Sequence, residues 1–571
     1  MNPVNKVFLK LVLLPSFIYK RMGVNLAQLN SILLTKLIMD DRRPNTIQQT
    51  RTRNKGEQVS MATLGTMLMS GLIGLVYLFA FSIGANLVTS LTIYFSMFFF
   101  MLSATLISDF TSVLIDVRDT FIILPKPVDD MTLLVSRLLH ILIHISKIVL
   151  PMSLAGLVYI IMNVSIPAAL SFLLMVLFTT AFAILFINAV YIGILKITTP
   201  QKFQSVISYI QIIFAIVIYA SYQVFPRIIN RFELGTLDLS LQKGILFYPL
   251  YWLACTWKWL YTFHVSGKEI IATLLGILLP FISIYIVVKY LAPFFNNKLA
   301  LLSSGSSTVS ATNKKKTTAA KRFDYPLMLS KLFTTSPTEK MGFLFCWKMT
   351  SRSRDFKLKV YPSIGYLAVY VVIMFMNTKS MDLQELRDES IKSRILVISA
   401  IYFTSFILTM AITQAVYSDK YKSAWIYYIT PVAKPGTIIL GGAKAAIMKF
   451  YIPIVVFVTL AGLILIGPKV LPNIILGLFN ELLIATLLVY AGNKLFPFSM
   501  HQNTNVKAGA LLRNFFVLLI SAIIALGHFF IYTIMPVVLI GVILSIIATW
   551  LIMDSIRNIS WKAIKSSYRE D

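Results

Sequence analysis

His140 and His144 stand four residues apart in an apolar run and so share one helix face, a separation that can hold a metal ion when further ligands converge on it. No third ligand lies near them in sequence, and Lys147 on the same stretch would repel a cation, so no metal site is expected. The face is read instead as a helix entry at the membrane interface, with a substrate-facing role as the alternative. Asp109 and Glu481 are isolated carboxylates inside long apolar runs, where ionisable residues commonly mark ion or proton pathways. Together with His140, His144 and Lys147 they are the polar candidates for a transport path; the simpler expectation for both acids is a contact between helices. Nucleotide chemistry has no support. Gly441-Gly442-Ala443-Lys444 lacks the first glycine and the closing Ser or Thr of a phosphate loop, and no other stretch supplies one. Cys255 and Cys346 have no ligand-like spacing and read as packing residues. The aromatic segment 246–263, followed by His264, could line a site for a membrane-embedded transferase, but it contains neither an acid/base pair nor a nucleophile. Trp252, Trp257, Trp259 and Tyr261 are therefore expected to form an interfacial belt.

The elements that must position these residues are membrane helices. The chain has 571 residues, 57% apolar and only 13% charged, against roughly 25% charged in ordinary soluble domains, which excludes a soluble globular enzyme. A bilayer crossing needs about 20 mostly apolar residues. Twelve runs qualify: 61–85, 88–113, 134–163, 167–195, 204–225, 270–293, 358–377, 395–417, 437–467, 472–492, 511–532 and 535–553. Uninterrupted runs of this length are helices and not alternating barrel strands, so the fold class is an all-α integral membrane protein. The opening segment lacks a small-residue cleavage site. Residues 6–14 and 26–39 read as helices lying along the membrane surface.

The excess of 52 Lys and Arg over 23 Asp and Glu gathers between the runs, with ten basic residues in 1–60 and thirteen in 297–359. By the positive-inside rule those segments and the C-terminal tail are cytoplasmic, and the short turns opposite them are external. A further crossing in 226–269 would place the basic linker outside, so the aromatic segment is expected to lie in the outer interface or to be re-entrant. The basic clusters Lys314-Lys315-Lys316 and Lys321-Arg322 suit anionic lipid better than nucleic acid.

Residues 303–322 are rich in Ser, Thr and Lys and read as a flexible linker between two six-span halves. Pro125 and Pro431 are 306 positions apart, as are Leu154-Ala155-Gly156 and Leu460-Ala461-Gly462, which supports a parallel repeat. The domain plan is 1–60 surface helices, 61–296 first half, 297–340 linker, 341–554 second half and 555–571 tail. Each half carries a polar, proline-punctuated loop between its second and third spans: DVRDTFIILPKPVDD at 116–130 and SDKYKSAWIYYITPVAKPG at 418–436. Proline stops a helix and extends its predecessor, so each loop should be a short, stiff cytoplasmic projection with an apolar tip.

A basic surface helix before the first span, a charged-then-apolar loop closed by Leu-Pro or Thr-Pro, and six spans per half resemble the permeases of type-2 ABC exporters. The resemblance implies two permease halves fused in one chain, each docking a cytoplasmic ATPase subunit. Those partners, two copies in all, would bind ATP and Mg; this chain would bind no cofactor and would itself be no enzyme. It implies docking roles for Asp116, Arg118, Asp119, Phe121 and Pro125 in the first half and for Asp419, Lys420, Trp425, Pro431 and Lys434 in the second. The expected product is export of an amphipathic substrate across the plasma membrane. An ion-gradient-driven transporter is the main alternative and a membrane-embedded transferase the third.

Overall fold

A computed structural model describes residues 2–42, 62–113, 127–198, 200–231, 238–242, 244–264, 267–291, 324–378, 387, 390–418, 420–501 and 508–564. The described chain is helical, with one isolated parallel bridge between Tyr417 and Met500. Eleven helices among the described residues are long and apolar enough to cross a membrane, which establishes the all-α multi-span class. The remaining expected run, 511–532, falls on a helix, Ala508–Ile531, whose described apolar part is Leu519–Ile531. Two compact units divide the chain: 1–207 with 225–312, and 208–224 with 313–571.

The first unit opens with α1 (Pro3–Leu13), α2 (Ser16–Arg21) and α3 (Leu26–Arg42). Asn2 caps α1 by accepting from Val4 N at 3.2 Å, ahead of Pro3 in the first turn. Leu29, Leu33 and Leu37 recur every fourth residue and bury one face of α3 with Leu9, Val135 and Ile143, while Val7 and Leu11 on α1 and Leu14 just after it stay exposed. The spans are α4 (Ala62–Val76, continued by a tight turn Tyr77–Ser82), α5 (Leu87–Val113), α6 (Asp130–Asn163), α7 (Ile166–Ile197) and α8 (Pro200–Arg231). Their core centres on Tyr77, Tyr94, Phe95, Phe98 and Phe172, with Tyr77 and Tyr94 edge to face at 5.6 Å.

The aromatic segment becomes α9 (Pro249–Thr262), which precedes the span α10 (Lys268–Ile286). Its 14 residues reach about 21 Å, too short to cross. Contacts with α10 run antiparallel: Trp252 O lies 2.5 Å from where a Cβ on Gly276 would be, Thr256 Oγ1 donates to Thr273 O, and Lys258 Nζ pairs with Glu269 at 2.7 Å. Before α9, Leu239 N donates to Thr89 Oγ1 in the first turn of α5, whereas Tyr248 OH donates to Ser96 Oγ further along that helix. Leu239 and Tyr248 thus meet α5 at successive levels, and α9 lies antiparallel to α10. The belt expectation fails for Trp257. Its side chain is buried and its Nε1 donates to Ala168 O at 2.9 Å, because Leu250, Leu253, Ala254 and Trp257 form a stripe that faces the core.

The second unit begins earlier than the sequence suggested. The stretch assigned to the linker up to 340 includes α11 (Tyr325–Phe333) and the start of α12 (Pro337–Arg352), and the 208–224 portion of α8 belongs to this unit. There Arg354 Nε donates to Ser208 Oγ at 3.0 Å and Tyr219 packs on Tyr366 at 4.5 Å, fixing α13 (Arg354–Thr378). The next span is two helices, α14 (Ile391–Tyr402) and α15 (Thr404–Gln414), followed by the four-residue α16 (Ile426–Ile429). The third span joins α17 (Gly436–Ala446) to α18 (Ile452–Leu465) through a π turn, Ile447–Tyr451. The remaining helices are α19 (Leu471–Ala491), α20 (Ala508–Ile531) and α21 (Met535–Arg557). Helices α12 and α17 cross closely because glycines face backbone. A Cβ on Gly342 would lie 2.5 Å from Ile438 O, and one on Gly441 would lie 2.1 Å from Glu339 O.

Candidate functional site

The loop between α15 and α17 is built in two layers. Tyr421–Trp425 forms a tight turn that runs into α16, and Thr430 then extends the chain into Pro431. One layer faces outward: Trp425 is 53%, Ile426 53% and Ile429 64% exposed, with Lys420, Lys422 and Lys434 exposed beside them. The other layer is anchored. Ala424 and Tyr427 are buried, Tyr427 stacks on Phe496 at 4.7 Å, and its hydroxyl donates to Pro497 O at 3.2 Å. Burial pushes the Tyr427 phenol well above its ordinary pKa, so it remains a donor at every physiological pH.

Two further bonds tie this loop to the end of the last span. Trp561 Nε1 donates to Val432 O at 2.7 Å, and Lys434 Nζ donates to Asn558 Oδ1 at 2.8 Å. Beneath it, Ile438, Ile439, Leu440, Ile556 and Ile559 complete one apolar cluster with Tyr427 and Phe496. A displacement of the tip therefore acts on α17 and α21 together.

A charge cluster locks the same helices. Glu339, with its side chain fully buried, receives Lys444 Nζ at 2.5 Å and has Arg557 Nε at 4.0 Å, so one carboxylate holds α12, α17 and α21. Ser336 caps α12 by accepting from Glu339 N, and Glu339 Oε2 accepts from Thr335 Oγ1 at 2.8 Å. Lys444 also donates to Phe333 O at 2.9 Å. The lysine that failed as part of a phosphate loop is thus an ion-pair partner. At the other end of α12, Lys449 of the π turn donates to Trp347 O and Thr350 Oγ1.

In the first unit, His140, His144 and Lys147 on α6 converge on a residue the sequence did not single out, Asp40 of α3. His140 Nε2 lies 2.7 Å from Asp40 Oδ2. Burial disfavours the Asp40 carboxylate, but the His140 hydrogen bond and the positive potential of His140, Lys147 and His144 prevail and hold its pKa below the ordinary carboxylate value. The α6 face is therefore a packing face for α3.

Glu481, on α19, is 1% exposed. Near it runs a buried polar chain across four helices. Asn480 Nδ2 donates to Tyr402 OH at 2.8 Å, Ser545 Oγ donates to Asn480 Oδ1 at 2.6 Å, Tyr402 OH meets His528 Nδ1 at 3.2 Å, and His528 Nε2 meets Asn473 Oδ1 at 3.1 Å.

Of the predicted site residues, Lys420, Trp425, Pro431 and Lys434 lie together on the second-half loop, and His140, His144 and Lys147 lie together against Asp40. Asp116, Arg118, Asp119, Phe121, Pro125 and Asp419 fall outside the described residues, as does the side chain of Asp109. Sequence reasoning missed Glu339, although Ser336-Pro337-Thr338-Glu339 spells a helix-start signal. It also missed Asn480 and His528, whose partners are distant in sequence. A comparison with protein families, characterised proteins and solved structures finds no match for the chain.

Proposed function

We propose that this chain is the membrane-spanning permease of an ATP-driven ABC exporter, with two permease halves in one polypeptide. The observation that carries the proposal is the second-half loop. Trp425, Ile426 and Ile429 form an apolar tip that is exposed between lysines, while Tyr427 and Trp561 hold its base to α17 and α21. An apolar patch framed by charges on a rigid base suits a protein partner.

In this proposal the loop is cytoplasmic, as are both termini, and the membrane is the plasma membrane. A partner ATPase subunit grips the loop, and the first-half loop receives a second copy. ATP and Mg belong to those partners. Closure of the ATPase pair pushes the tip, and the push passes through the Tyr427–Phe496 stack and the Glu339–Lys444 pair into α12, α17 and α21. This chain's task is mechanical coupling, and the cargo is amphipathic.

The test is transport by the native complex with ATP supplied and ion gradients collapsed. The proposal expects transport to persist and to fall at least tenfold in a Trp425→Ala/Ile426→Ala/Ile429→Ala variant that still inserts. Full transport by the chain purified free of any ATPase would overturn it.

A further inference from the structure

Glu481 lies in the interior of the second unit, on the face of α19 that meets α15. One of its oxygens shares a hydrogen bond with Ser405, whose hydroxyl lies 3.3 Å from Ser521 Oγ on α20. Its other oxygen, Oε1, is buried and makes no hydrogen bond, and no Lys, Arg or His side chain forms an ion pair with it among the described residues. The titratable groups whose charges would act on the carboxyl are the phenols of Tyr402, on α14, and Tyr451, in the π turn. His528 on α20 stands one hydrogen bond further away, beyond Tyr402.

A bare carboxylate in such surroundings is far costlier than a neutral acid, because nothing offsets its lost hydration. Something positive must therefore occupy the site. No group of three or more His, Cys, Asp or Glu side chains among the described residues gathers to hold a metal ion, here or elsewhere. A proton needs no such set of ligands.

We propose that Glu481 is a proton-binding site whose loading keeps α15, α19 and α20 closed around it. Binding forms one O–H bond on the carboxylate and consumes one proton from water; release returns that proton and leaves an anion that is tolerated only once the helices part and water enters. Proton occupancy and helix closure are then linked, each favouring the other. The inference stands whether or not the chain docks an ATPase, since it concerns α15, α19 and α20 alone.

The test uses the full-length chain in lipid bilayers. Infrared spectra should contain the carbonyl stretch of a protonated carboxylic acid at neutral pH that shifts in D₂O, is missing in Glu481→Gln, and is unchanged by added NaCl. Amide exchange in α15 and α19 should accelerate with rising pH beyond that of Glu481→Gln, by up to about tenfold per pH unit while the carboxyl titrates. Glu481→Gln mimics the neutral acid and should fold as the parent does; Glu481→Asp, which shortens the side chain, should keep the band. A spectrum without the protonated band, a band removed by NaCl, or exchange identical in parent and Glu481→Gln would each overturn the proposal.

Discussion

Replacing Glu339 by Gln tests whether one buried carboxylate unites the helices behind the loop that joins α15 and α17. The change keeps the shape and deletes a charge that faces two cations. Removing one partner of a buried ion pair costs about 3–5 kcal/mol when the other is left stranded. Here the Lys444 side chain is 16% exposed and keeps the Phe333 carbonyl as an acceptor, so part of that cost is recovered. Arg557, 31% exposed at 4.0 Å and also paired with Asp554, adds little. The net expectation is about 2–3 kcal/mol, read as a fall of several degrees in the thermal midpoint of the chain in detergent. The double variant Glu339→Met/Lys444→Met, which removes both charges, should recover most of the loss. A Glu339→Gln midpoint unchanged from the parent, or a double variant worse than the sum of the singles, would refute the reasoning.

Acidification should release α3 from α6. The Asp40 pKa is depressed in the folded state, so its contribution is complete above the ordinary carboxylate pKa of about 4 and is lost as pH falls through the lower folded value; Asp40→Asn should abolish that acid step in protease accessibility of the first 42 residues. Gly276→Val should cost about 1–3 kcal/mol, since a Cβ there meets Thr256 Oγ1 and the Trp252 backbone at 2.2–2.8 Å, and thermal unfolding reads it. Truncating Trp425, Ile426 and Ile429 together should leave the thermal midpoint within about 1 kcal/mol of the parent, because these side chains are exposed, while coupling is lost.

The spans were legible because uninterrupted apolar length is a one-dimensional signal, and the structure follows it to within a few residues at 134–163 and 437–467. The contents of the spans were not. A tryptophan-rich stretch has the same composition whether it rings the interface or packs inward, and only the Leu250, Ala254, Trp257 spacing distinguishes the two for α9. Asp40 and His140 are a hundred residues apart, and Asn480 and Ser545 are 65 apart, so no local pattern could join them. Glu339 was hidden for another reason: the polar composition before it continues that of the linker, and burial is conferred by α17, a helix that begins almost a hundred positions later. The loop between α15 and α17 stood out because its proline punctuation is local, but that Tyr427 turns inward while Ile429 turns outward depends on Phe496 and Pro497, some seventy positions away.

What touches Trp425 decides whether an ATPase subunit grips this loop. A photo-reactive amino acid placed there, in the native host membrane, should yield on illumination an adduct with a soluble protein whose sequence contains a phosphate loop, and the adduct should diminish when the cytoplasmic ATPase is depleted. An adduct with lipid alone, or quenching of the label by an impermeant reagent added outside the cell, would contradict the proposal.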